Sequence, residues 1–145
     1  MSHRHKIFIA TLLFFLIGLS PIASSQENGS PAGGSATHPG ILDRAVMCEK
    51  VTDGQPVNTA VIFPVSQKEV FCFTEFSSIT KKDVIVHNWI RHDETVARIK
   101  LTVEPPRWAT YSGIALRDID QGPWRVEITD ASGAILKTLR FSITQ

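Results

Sequence analysis

The chain has 145 residues, which suits one domain better than two. Hydrophobic residues make up 43% of it, so a core can be buried and wholesale disorder is excluded. The formal charge is +1, and it becomes −1 once Arg4 and Lys6 of the N-terminal segment are set aside. That leaves no excess of positive charge to neutralise a phosphate backbone, which argues against nucleic-acid binding.

Residues 1–25 read as an export signal. His3, Arg4, His5 and Lys6 give a basic start, and Ile7 to Leu19 is apolar apart from Thr11 and Gly18. Pro21 breaks the helix, and Ala23-Ser24-Ser25 supplies the small residues a signal peptidase requires. The apolar run is well short of the ~20 residues that span a bilayer, so cleavage is the expectation and an uncleaved N-terminal anchor is the alternative. Either way the remaining chain is expected across the membrane from the cytoplasm, periplasmic or secreted. Residues 26–40 are rich in Gly, Ser and Pro and read as a flexible linker. Residues 41–145 are left as the folded domain.

Export changes how the two cysteines read. Cys48 and Cys72 are the only ones, and an oxidising compartment favours a bridge between them. Such a bridge would close a loop of about 25 residues and contribute ~3.5 kcal/mol by chain entropy. Two separate buried thiols are the alternative. The spacing forms no CxxC, so neither thiol–disulfide catalysis nor structural zinc is indicated.

In chain order, Ile41 to Val51 has strand propensity and Asp53-Gly54-Gln55-Pro56 is a turn signal. Val57 to Phe63 holds a short strand stopped by Pro64, and Val70 to Phe76 is a strongly apolar strand. Val84 to Arg91 and Val96 to Val103 flank the polar stretch His92-Asp93-Glu94-Thr95, the signature of a hairpin. In the second of these runs Ala97, Ile99, Leu101 and Val103 share one face. In the first, Ile85, His87, Trp89 and Arg91 share one face and Val84, Val86, Asn88 and Ile90 the other, and the pattern leaves open which is buried. Pro105-Pro106 interrupts pairing, Trp108 to Ser112 is a short extended stretch, and Ile114 to Asp120 is loosely apolar. Trp124, Val126 and Ile128 mark the core face of a further strand. Asp130-Ala131-Ser132-Gly133 then turns the chain into a last strand burying Ile135, Leu139, Phe141 and Ile143. About seven short strands with no helical periodicity after the signal predict an all-β fold. The expected architecture is an antiparallel immunoglobulin-like β-sandwich, with a small closed barrel as the alternative.

A resemblance enters through spaced Trp and Arg steps. They are His87-x-Trp89, Arg107-Trp108 with Thr110 and Ser112, Gly122-x-Trp124-Arg125-Val126-Glu127, and Asp130-x-x-Gly133 with Leu136 and Phe141. Together with Pro56 and Phe71-Cys72-Phe73-Thr74, they resemble the bacterial domain-of-unknown-function family numbered 2914, over Ile41 to Ile143. Ala109 departs from it, since a polar residue is expected after the Trp. The resemblance implies a secreted or membrane-tethered β-domain and supplies no catalytic residues.

The candidate ligand-binding residues are His87, Trp89, Arg107, Trp108 and Arg125. Trp faces stack on sugars and cations, and Arg forks bind carboxylates or phosphates. Against this stands a structural reading, in which Trp89 is the core Trp of a sandwich and the Arg residues cap its edge. Metal binding is weakly supported. His87, His92 and Asp93 are too far apart along an extended strand, and Asp118-x-Asp120-x-Gly122 lacks the acidic ligand that closes a calcium loop. No nucleophile elbow, phosphate loop or HExxH is present, and Ser112 and His87 would meet only by tertiary accident. Asp93, Glu94 and Glu104 show no pairing in sequence. The expectation is therefore a non-enzymatic exported domain, without cofactor or metal, that binds an envelope protein or glycan. An accessory enzyme acting on envelope polysaccharide and a purely structural spacer are the alternatives.

Overall fold

The computed structural model describes residues 38–145. The expected signal segment 1–25 and residues 26–37 of the expected linker lie outside the described residues. Nine strands occur in order among the described residues: β1 (Ile41–Thr52), β2 (Gln55–Thr59), β3 (Ile62–Pro64), β4 (Glu69–Ser77), β5 (Asp83–Arg91), β6 (Glu94–Val103), β7 (Trp108–Ala115), β8 (Gly122–Asp130) and β9 (Ile135–Thr144). They form a four-stranded sheet, β2-β1-β4-β7, and a five-stranded sheet, β3-β9-β8-β5-β6. The two sheets share one core, so the protein is an all-β sandwich of the expected immunoglobulin-like class.

The turns follow local chemistry. Thr52 and Gln55 pair across a two-residue turn in which Asp53 and Gly54 both have positive φ, at 51° and 69°. Arg91 and Glu94 pair across another, with His92 and Asp93 at 47° and 64°. Such turns match the right-handed twist of the strands they join. The β8–β9 hairpin is held by Asp130, whose Oδ1 accepts from Ser132 N, Ser132 Oγ and Ala134 N at 2.9, 2.6 and 3.0 Å.

Four features of the architecture differ from expectation, as does one side chain: Ile135, expected buried on the last strand, is 59% exposed. The single strand read at Val57–Phe63 is two strands in different sheets. The chain leaves the first sheet after Thr59 and enters the second at Ile62, where β3 pairs parallel with β9. The stretches either side of Gly113 form one strand, β7, because Gly113 lets the Phe71 ring lie against the backbone: a Cβ there would stand 2.6 Å from two ring carbons. The linker ends earlier than composition suggests, since Pro39 is buried and Gly40 sits against Ser77 and Ile79.

The fourth difference concerns the cysteines. Cys48 and Cys72 are both free and buried, so the expected bridge is not formed. The β1–β4 register explains it. Met47 stands opposite Cys72 and Cys48 opposite Phe71, which sends the two thiols to opposite faces of the sheet. Met47 and Cys72 belong to the core cluster and Cys48 does not.

The core draws Met47, Val70, Cys72 and Phe76 from one sheet, and Ile85, Trp89, Trp124, Val126, Ile128 and Phe141 from the other. Phe141 is its hinge, stacked on Trp124 at 6.1 Å and edge-on to Trp89 at 6.0 Å. Ile85, His87 and Trp89 form the core face of β5. Val86, Asn88 and Ile90 on its other face are also buried, because β5 lies between β6 and β8.

Candidate functional site

The polar heart of the molecule lies between the sheets. His87 on β5 is fully buried, and its Nδ1 is 2.9 Å from Ser112 Oγ on β7. Trp89 Nε1 donates to the same hydroxyl at 3.0 Å. His87 Nε2 lies 3.4 Å from Thr74 Oγ1, which donates to Thr110 O at 3.3 Å. One arrangement uses every donor. Trp89 donates to Ser112, Ser112 donates to His87 Nδ1, and the Nε2 proton of His87 points to Thr74. Burial pushes the His87 pKa down to about 4, so the ring is neutral at physiological pH. Ser112 is 5% exposed, and no substrate could reach this serine–histidine pair without opening the core. Its chemistry is that of a satisfied buried network, which ties β5 to β4 and β7.

The five residues nominated from sequence do not gather. His87 and Trp89 are in that network. Arg125 lies on the outer face of the five-stranded sheet, bonded to Glu127 Oε1 at 2.9 Å and Asp93 Oδ1 at 2.6 Å. Arg107 lies on the four-stranded sheet, where it bridges Asp43 Oδ2 at 3.0 Å and Glu75 Oε1 at 3.3 Å. Trp108 is 39% exposed at the start of β7. Arg107 precedes β7 and is turned to Asp43 and Glu75, whereas Trp108 stands opposite the core residue Phe76, so the two part company.

The other short motifs also resolve into structure. Asp120 is a buried hub: it accepts from Arg117 N and Nε at 2.9 and 3.0 Å and from Arg91 Nη1 at 3.4 Å. These bonds hold its carboxyl below the ordinary range, the Arg117 side-chain bond contributing most. Arg91 lies over the Trp124 ring at 5.9 Å and also donates to Ile119 O, while Trp124 Nε1 donates to Asp120 O at 2.7 Å. The Asp118-x-Asp120 pattern is thus a clamp on the end of the sandwich, and no group of three metal-ligating side chains occurs among the described residues.

Residues 82–143 match the family described as "Protein of unknown function (DUF2914)". This segment belongs to that family. The DUF2914 segment takes in β5 to β8 and nearly all of β9, and with them His87, Trp89 and Ser112. The resemblance read over β1 to β4 falls outside the match. No curated protein matches the chain.

Within the DUF2914 segment, sequence reasoning passed over one surface. β7 is an edge of its sheet among the described residues. Its sequence, WATYSGIA, contains no charged residue and no proline. Tyr111 is 49% exposed on the outer face, beside Phe71 at a ring distance of 6.1 Å. The same face carries Phe73, opposite Tyr111 and covered by the Arg44 guanidinium 5.8 Å from its ring centroid. On the other side of the strand, Trp108 and Ile114 are only partly buried. The signal was present in the sequence as eight uncharged residues; what it lacked was the strand order that makes β7 an edge.

The remaining edges are blunted. β6 carries Glu94, Arg98 and Lys100, β2 is interrupted by Pro56 and by Asn58 at φ 54°, and β3 is three residues ending in Pro64. Charge, proline and shortness are the usual protections of an exposed strand, and β7 has none of them.

Proposed function

We propose that this chain is an exported, non-enzymatic β-sandwich that binds a protein of the cell envelope through the β7 edge. The observation that carries the reading is the contrast between an uncharged, aromatic edge strand and three protected ones. An open edge offers a row of backbone donors and acceptors, which an extended polypeptide matches and a sugar does not. Trp108 and Tyr111 are three residues apart and point to opposite faces, so they offer no joint stacking platform for a glycan. Export rests on the N-terminal segment, and cell fractionation tests it.

The inward placement of His87 and Ser112 supports a non-catalytic role. So does the carboxylate pair Asp43 and Glu75, with Arg107 lodged between the two acids.

The test is site-specific photocrosslinking in the source cells, with benzophenone side chains at Tyr111 and, as a control on the charged edge, at Arg98. A discrete adduct from position 111 and none from position 98 is the expected result. Equal labelling at both positions, or none at either, refutes β7 as the binding edge.

A further inference from the structure

We infer that the occupant of the β7 edge is the β7 edge of a second copy of this chain, paired antiparallel about Tyr111. The inference rests on the reading of β7 as the interaction edge and names its partner. Two-fold symmetry requires a strand that complements itself, and β7 does so in three ways.

The first is charge. β7 has no ionisable side chain except Tyr111, so two copies bring no like charges together. Just outside it, the Arg107 side chain is 63% exposed at one end, and Glu69 stands opposite Ala115 at the other. Pairing about Tyr111 sets Arg107 of each copy against Ala115 of the other, one strand from Glu69. The symmetry makes this contact twice. The exposed ion pairs Arg107 now makes with Asp43 and Glu75 are weak competitors.

The second is shape. On the outer face Tyr111 is flanked at two residues' distance by Ala109 and Gly113. In the pair these small residues face each other, leaving room for the two Tyr111 rings to lie side by side. The third is apolar cover. On the core side Trp108 of each copy meets Ile114 of the other, so the partly exposed indole gains an apolar neighbour. The eight residues span ~27 Å and join two four-stranded sheets into one of eight. An interface on the order of 1,000 Å² is at the low end of specific association, which implies a reversible dimer.

The test uses the full chain purified from its own compartment. Tyr111→Cys is expected to give a covalent dimer under mild oxidation, since Cys48 and Cys72 are buried and do not compete. Arg98→Cys is expected to give none. In sedimentation velocity, Tyr111→Lys should weaken self-association at least tenfold. So should Ala109→Lys, which stands opposite Glu75 and is accommodated by the single copy, with the thermal midpoint retained. A chain monomeric at 0.1 mM (roughly a hundredfold above a micromolar Kd), or a dimer indifferent to both lysines, overturns the inference. The benzophenone adduct at position 111 separates the two claims. An adduct with a different protein alone overturns the second copy and leaves the β7 reading standing, while no adduct overturns both.

Discussion

His87 and Ser112 come from different sheets and lie 25 positions apart in sequence, yet they meet at 2.9 Å in the centre of the sandwich. Among the described residues the hydroxyl is the only partner of two buried groups, His87 Nδ1 and Trp89 Nε1. Removing it leaves both unpaired in the core. Ser112→Ala is therefore expected to cost about 3 kcal/mol, from two groups at ~1–3 kcal/mol each with partial relaxation. Urea unfolding should show a lower midpoint with an unchanged slope. Thr74→Val removes two longer contacts, at 3.4 Å to His87 Nε2 and 3.3 Å to Thr110 O, and should cost less than Ser112→Ala. A Ser112→Ala variant as stable as the wild type would show that water or a repacked side chain replaces the hydroxyl.

The same histidine sets a pH dependence. Its folded-state pKa, about 4, is below its ordinary value of 6.5, so between these values the unfolded chain binds a proton that the folded chain does not. Stability must then fall as pH falls from about 6.5 to about 4, by about 3 kcal/mol, and this loss levels off below. Asp120 and Asp130 also have depressed values, the first chiefly through Arg117 and the second chiefly through Ser132. Their contribution is present above the ordinary carboxylate pKa and is lost only at lower pH, so the two windows are separable. Urea midpoints at pH 7, 5.5 and 4.5 should decline steadily. His87→Gln should flatten that decline while leaving the acid limb in place.

Most of the fold was legible because β6 and β8 alternate cleanly and the turns at Asp53-Gly54 and Asp130–Gly133 carry their own chemistry, whereas a register shift in the β8–β9 ladder turns Ile135 out and Leu136 in. The site was not legible, for geometric reasons. His87, Trp89, Arg107, Trp108 and Arg125 look alike as Trp and Arg steps, but strand parity and sheet assignment scatter them over the core and two outer faces. Ser112 joins His87 only through packing between sheets, which no local pattern encodes. The short strand around Val57–Phe63 splits because its halves find partners in β1 and β9, far apart in sequence.

The cysteines yield a third prediction. Because the register turns Cys48 and Cys72 apart, a bridge would require backbone movement. Burial also pushes both thiols up, so neither is a ready thiolate. The chain isolated without reductant should therefore titrate two thiols in denaturant, and dithiothreitol should leave the unfolding midpoint where it was. A native disulfide would behave differently, since its reduction typically costs 2–5 kcal/mol.

The last prediction concerns where the folded domain begins. Gly40 has φ +123°, and a Cβ there would lie 2.6 Å from Ser77 O and 2.9 Å from Ile79 Cγ1. That stretch cannot retreat easily, because Ile79 N is bonded to Pro106 O at 3.1 Å. Gly40→Ala thus combines a backbone conformation that L-residues avoid with a clash against main chain, and about 3 kcal/mol is expected to be lost. Gly54 is the matched control. Its φ is +69°, but a Cβ there has nothing within 4 Å, so Gly54→Ala should cost only about 1 kcal/mol. If residues 26–40 were linker throughout, Gly40→Ala would be neutral and Gly54→Ala the worse of the two. The order of the two thermal midpoints therefore decides whether the sandwich starts at Ile41 or already at Pro39-Gly40.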